Sequence, residues 1–146
     1  MKNTLLIVLA IIFIAICIIC TSLINIRTEK AEVKKENMQY EQYLNKEILG
    51  TDIATLISKA VDKNEKNNVQ KDEKGYYIDN ESNSIKIDLK MITIEKTYPM
   101  EAIYNNKISS FVQNFNFISF KCTNIEYHEK TGRISKLVFE ELSNWM

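Results

Sequence analysis

From Leu5 to Ile24 the chain runs for twenty residues without a charge, and fourteen of them are Ile, Leu, Val or Phe. As a helix rising about 1.5 Å per residue, the run spans about 30 Å, the thickness of a bilayer's hydrocarbon core. Each of the fourteen favours insertion by about 0.3–0.6 kcal/mol, about 4–8 kcal/mol in sum, from which Thr21 and Ser22 subtract a little. The pattern predicts a transmembrane signal-anchor over residues 1–26, with the lipid bilayer as the partner of Leu5 to Ile24.

At Arg27 the pattern turns to interleaved Lys and Glu, and residues 27–50 read as a charged helical stem. Its charges help the helix little: Glu32 and Lys35 attract at i, i+3, whereas Lys30 with Lys34 and Glu32 with Glu36 repel at i, i+4. Tyr40, Leu44 and Ile48, at i, i+4 and i+8, give the stem an apolar stripe that ends at Gly50.

Residues 51–146 read as a small α+β domain. Thr51-Asp52 supply a cap, and Ile53, Leu56, Ile57, Ala60 and Val61 fall at i, i+3, i+4, i+7 and i+8 of a helix that ends in the solvated stretch from Asn64 to Asn68. Strand patterning comes next. Gly75 to Asp79, a turn over Asn80 to Ser84, and Ile85, Ile87, Leu89 and Met91 alternating with Lys86, Asp88 and Lys90 predict an antiparallel hairpin. The alternation changes phase at Met91-Ile92, which predicts a bulge or the strand's end. Pro99 suits the first turn of a further helix, along which Tyr104, Ile108, Phe111, Val112 and Phe115 form a stripe. Phe117 to Tyr127 and Arg133 to Glu141 read as two strands joined through Glu129-Lys-Thr-Gly132, with Gly132 in the left-handed position.

The expected architecture is thus anchor, stem, then helix, hairpin, helix, hairpin: a four-stranded, mostly antiparallel sheet with two helices on one face. The other face, bearing Lys86, Asp88, Lys90, Ser119 and Lys121, is expected to be wet.

A cleaved signal peptide competes with the anchor, because Lys2 before an apolar run also begins a secretory signal. The run exceeds the roughly 7–15 residues of a signal's apolar segment, and Cys20-Thr21-Ser22 is the one small-x-small candidate. Ile16 and Ile19 precede Cys17 and Cys20, where a lipoprotein site needs a small residue. Direction is set by opposing signals. Arg27, Lys30, Lys34 and Lys35 after the run, against Lys2 before it, favour a cytoplasmic domain. The short head before a long apolar run favours export, and we expect the C-terminal domain to be extracytoplasmic.

Composition removes several functions. Nineteen basic and nineteen acidic residues leave no net charge, so nothing electrostatic points to nucleic acid. Gly50, Gly75 and Gly132 are isolated at element boundaries, which leaves no phosphate loop. His128 is the single histidine and Cys122 the single cysteine outside the apolar run, too few for structural zinc. Asp72-Glu73, Asp79-Asn80-Glu81 and Asp88 lack the carboxylate spacing of a calcium or magnesium site. His128 is expected in an exposed turn with no nucleophile beside it, and Cys122 as a small buried apolar residue. Cys17 and Cys20 share a helix face, which would permit a dimer contact or lipidation, and read as small packing residues. We expect no catalytic residues, no metal and no cofactor.

Two features suit a protein partner instead. Tyr40, Tyr43, Tyr76, Tyr77, Tyr98 and Tyr104 read as core-edge residues or as interface residues. Trp145-Met146 read as exposed apolar residues or as a flap over the core.

The stretch from Tyr43 through Asn67 and on to Ile85-Lys-Ile-Asp-Leu-Lys90, behind an N-terminal anchor, resembles small bacterial single-pass membrane proteins without assigned function, and the wealth of Ile, Lys and Asn fits an AT-rich bacterial genome. An apolar helix running through a stem into a small sheet domain also looks like the layout of pilins and pseudopilins. The chain departs from their motif, with no Gly before the apolar run and no Glu early within it, so that likeness is architectural. Together the anchor, the compact domain and the missing chemical constellation imply a non-catalytic, membrane-anchored interaction or assembly subunit of the bacterial cell envelope. The alternative is a membrane-tethered cytoplasmic regulatory or sensor domain.

Overall fold

The computed structural model describes residues 2–142 and divides the chain into two units, Met1–Lys35 and Glu36–Met146. Trp145-Met146, expected as a flap or an exposed end, lie outside the described residues. Helix α1 is Lys2–Glu41. Its stretch Thr4–Glu41 is long and apolar enough to cross a membrane, and none of its most apolar window is buried. The side chains from Leu5 to Ile26 are exposed. Thr21 and Ser22 both donate their hydroxyls to the carbonyl of Ile18 at 2.9 Å, so the polar groups within the apolar run are satisfied by the helix itself.

The second unit is a mixed sheet with helices against it. After α1 come β1 (Glu47–Leu49), α2 (Gly50–Lys66), β2 (Lys86–Met91), β3 (Lys96–Pro99), α3 (Met100–Asn105), α4 (Ile108–Phe115), β4 (Ser119–Tyr127) and β5 (Ile134–Glu141). The sheet order is β1-β4-β5-β2-β3. All neighbours are antiparallel except β2 and β5, which run parallel with Ile87 beside Leu137 and Leu89 beside Phe139. The core lies between the helices and the face carrying Ile87, Leu89, Phe120, Cys122, Leu137 and Phe139, each 1% exposed or less. Phe111 of α4 stacks on Phe115 at 5.1 Å and meets Phe120 of β4 at 6.4 Å between ring centroids.

The α+β class, the α2 stripe, the β2 alternation and the β4–β5 hairpin appear as the sequence predicts. In that hairpin Gly132 sits at φ +66°, with its N–H bonded to the His128 carbonyl. The strand count does not agree: the sheet has five strands, not four. The stem does not stay helical to Ile48: α1 ends at Glu41, Asn45 then takes a left-handed φ of 60°, and the chain turns into β1. Gly75 to Asp79 form no strand of the sheet; Tyr77 makes only an isolated bridge to Lys71. The reason is a competing anchor. The Tyr77 hydroxyl donates to Glu65 on α2 at 2.6 Å, and the Asn80 side chain accepts the N–H groups of Ser82, Asn83 and Ser84, curling the segment away from β2. The antiparallel partner of β2 is therefore β3, which ends on Pro99 where a helix's first turn is predicted. The helix expected after it is broken into α3 and α4 at Lys107, whose φ is 68°.

Two side chains and one face of the sheet also differ from expectation. His128 is 4% exposed rather than an open turn residue, and Asn64 is fully buried rather than solvated. The outer sheet face is only partly wet: Ser119 is buried, Lys86, Asp88 and Lys121 are half-buried, and Lys90 is exposed. Two cross-strand ion pairs lie on this face, Lys136–Asp88 at 2.7 Å and Lys90–Glu140 at 2.9 Å.

Candidate functional site

The two ends of the sheet differ in chemistry. At one end the chain enters the unit at Glu36. The Asn37 carboxamide donates to the carbonyl of Gly132 at 2.8 Å and accepts the N–H of Ile134 at 3.1 Å, imitating a strand partner for the β4–β5 turn. Glu36 pairs with Lys63 at 3.2 Å and lies 3.6 Å from Arg133, while Tyr127 donates to Glu41 at 2.9 Å. The loop before β2 is fastened to the same turn. Thr131 donates to the Ser82 carbonyl at 2.6 Å, and Lys130 pairs with Glu81.

His128 belongs to this fastening. Its Nε2 lies 2.7 Å from the Ser84 carbonyl, which only accepts, so Nε2 carries the proton; Nδ1 lies 3.6 Å from Asp79. The Ser84 hydroxyl donates to Asp79 rather than facing the imidazole, so the three do not form a nucleophile–base–carboxylate relay. The N–H of Glu81, then the Ser84 hydroxyl and His128, hold the Asp79 carboxyl below the ordinary carboxylate range. Burial pushes the Cys122 thiol up to about 11, which leaves it a poor nucleophile at neutral pH. Among the described residues no three His, Cys, Asp or Glu side chains converge as metal ligands.

The opposite end is apolar. Strand β2 finishes at Met91, next to the end of β5, and β4 begins at Ser119 beside Leu49 of β1. Four neighbouring strands thus present their ends together, about 14 Å across at about 4.8 Å per strand. Large apolar side chains project there into solvent: Ile92 (52% exposed) and Ile94 (55%) in the β2–β3 turn, Phe117 (83%) before β4, and Leu49 (43%) on β1. Glu141 accepts the N–H of Thr93 at 3.0 Å and fixes that turn to β5. Exposed apolar side chains gathered at one place, unlike scattered ones, mark contact surfaces.

Grooves lie elsewhere on the surface. An open polar groove of about 590 Å³ runs between residues 36–43 and α2, lined by Gln39, Gln42, Tyr43, Lys59 and Asp62 among others. A smaller, mainly apolar groove of about 210 Å³ lies beneath α3 and α4. The six tyrosines do not form one surface: Tyr40 and Tyr77 are buried, Tyr43, Tyr76 and Tyr98 half-buried, and Tyr104 exposed. Sequence reading missed the apolar end, although the phase change at Met91-Ile92 already shows two isoleucines leaving the buried face.

No protein-family model, no curated protein and no solved structure matches this chain.

Proposed function

We propose that the protein is a non-catalytic interaction or assembly subunit of the bacterial cell envelope, held in the cell membrane by Leu5 to Ile24 with its domain on the extracytoplasmic side. The observation that carries this reading is the apolar end of the sheet. Leu49 lies on the paired strand β1, Ile92 and Ile94 in the β2–β3 turn and Phe117 just before β4, and among the described residues all four are exposed at the end remote from Glu36. An apolar patch of this kind gains about 25 cal/mol for each Å² that a protein partner covers. The Lys-rich start of the stem supports a second reading, a cytoplasmic regulatory or sensor domain tethered to the same membrane.

Alkaline phosphatase and a fluorescent protein, fused separately after Met146, separate the two. Active phosphatase supports the first reading, and fluorescence alone discards it. The interaction itself is tested with a photo-crosslinking amino acid placed in cells at Phe117, Ile94 or, as control, Lys74. A discrete adduct from Phe117 and Ile94 and none from Lys74 is the expected result. Equal adducts from all three positions, or none, would refute the use of the apolar end.

A further inference from the structure

Most of the core is closed, with Phe120, Phe139 and Leu137 wholly buried. Beneath α3 and α4 it is not. Leu89 and Met91 of β2, Ile103 of α3, and Phe111 and Phe115 of α4 surround the groove of about 210 Å³. Its size restricts what can fill it. An apolar cavity of about 150 Å³ takes up benzene, whereas sites for cofactors and drug-sized ligands start at about 300 Å³. A nucleotide or flavin is too large; a single ring or a short hydrocarbon chain fits.

Charge restricts the occupant further. Among the described residues that line the groove, Lys107 is the one charged side chain, and Asn106 and Ser110 add an amide and a hydroxyl beside it. Lys107 sits in the break between α3 and α4, and it takes part in none of the ion pairs among the described residues. An apolar floor with Lys107 as its one cation and the polar groups of Tyr98, Asn106, Ser110 and Asn114 around it complements a molecule with a hydrocarbon body and one negative end.

We propose that this groove binds a small organic carboxylate whose hydrocarbon part is one ring or a short chain. The apolar part displaces water from the half-buried Tyr98, Ala102 and Phe115, above the buried Leu89, Met91 and Phe111, and the carboxylate accepts hydrogen bonds from Lys107 and Ser110. The inference is separate from the envelope role, because it depends neither on the apolar end of the sheet nor on which side of the membrane the domain lies.

Calorimetry on the full chain in lipid nanodiscs tests it, with empty nanodiscs as reference. The probes are 3-phenylpropionate and its uncharged counterpart 3-phenylpropanamide. The carboxylate is expected to bind at least about tenfold more tightly, the weight of one charge-assisted hydrogen bond. Lys107→Met should bring the two affinities within about threefold of each other by weakening the carboxylate alone. Ala102→Phe, which fills the groove, should remove both. Equal binding of the two probes by the wild type overturns the proposal, as does binding no stronger than to empty nanodiscs. A preference that survives Lys107→Met overturns it too. Lys107 is exposed, so that arm decides even where Ala102→Phe fails to fold.

Discussion

Asn64 tests whether the fold depends on one buried carboxamide. Its Nδ2 donates to the carbonyl of Ile85 at 2.8 Å, and its Oδ1 accepts the N–H of Ile85 at 2.9 Å, so the side chain serves that residue as a strand partner just before β2 begins. Asn64 is 0% exposed and Ile85 1%, which denies water access to either group. Asn64→Ala therefore leaves one donor and one acceptor buried without partners, at about 1–3 kcal/mol each. The expected loss is about 2–6 kcal/mol, against a total stability of about 5–15 kcal/mol for an ordinary domain. With a urea dependence of about 2 kcal/mol/M, a loss of about 4 kcal/mol lowers the unfolding midpoint by about 2 M. The assay is urea unfolding of the full chain in nanodiscs, followed by the near-ultraviolet circular dichroism of the tyrosines. Gln113→Ala, at an exposed site on α4, is the control and should change stability by no more than about 0.5 kcal/mol. Asn64→Asp adds a sharper test. Its carboxylate still accepts from the Ile85 N–H but cannot donate to the Ile85 carbonyl, and burial raises its pKa. Protonation restores the donor, so the stability of this variant should rise as pH falls and decline as pH rises through the raised pKa. An Asn64→Ala midpoint within about 0.25 M of wild type would refute the reasoning.

Three further outcomes are expected. Gly50→Ala places a Cβ 2.0 Å from the backbone oxygen of Phe115 and 2.7 Å from its carbon, so the α4 terminus must move; a loss of at least about 1–3 kcal/mol in the same unfolding assay checks it. Cys122, 0% exposed and with its thiol pushed up to about 11, should react with N-ethylmaleimide at neutral pH only as the domain unfolds, with mass spectrometry following the site against urea. Burial, and then Glu65 beside it, push the Tyr77 hydroxyl up to about 12, above the ordinary value of about 10. Its contribution is complete below pH 10 and is lost as pH rises through about 12; Tyr77→Phe should remove that part of the alkaline loss and the latest tyrosine step in absorbance at 295 nm.

Local pattern explains which elements are legible from residues alone. The apolar run, α2, β2 and the Gly132 hairpin each carry their signal within ten to twenty neighbouring residues, and each is found where the pattern puts it. The parallel pairing of β2 with β5 joins Lys86 to Lys136 across fifty positions, and no periodicity encodes it. Strand β1 is hidden for another reason. Tyr40, Leu44 and Ile48 keep helical spacing while only Tyr40 lies on the helix, and the left-handed Asn45 between them is the available stop signal. Asn64 also shows in the sequence. It continues the apolar stripe of α2, three residues after Val61 and four after Ala60, and a polar residue on such a stripe must find partners inside. His128 gives no such signal, because what buries it is the carbonyl of Ser84, forty-four residues away. The candidate surface is half legible: Ile92 and Ile94 announce themselves by changing parity, whereas Phe117 and Leu49 join them only through strand pairing.

Side chain to backbone bonds gather at one end of the sheet, and this bears on what the other end is for. Asn37, Asn64, His128 and Thr131 all bond to backbone of the β4–β5 turn or of the segment Ser82–Ile85, and Asn67 donates to the Asn83 carbonyl at 3.0 Å. These contacts order loops that no strand pairing reaches, at the end where the chain enters from Glu36. At the apolar end the backbone is ordered by the sheet and by two carboxylates, Glu141 accepting the N–H of Thr93 at 3.0 Å and Asp52 that of Leu49 at 3.4 Å. Stability and exposure are thereby separated. Among the described residues Ile92, Ile94 and Phe117 leave more than half of their surface in water, which is unfavourable for large apolar side chains. On the interaction role proposed above, a partner that covers them removes that cost, at the end remote from Glu36.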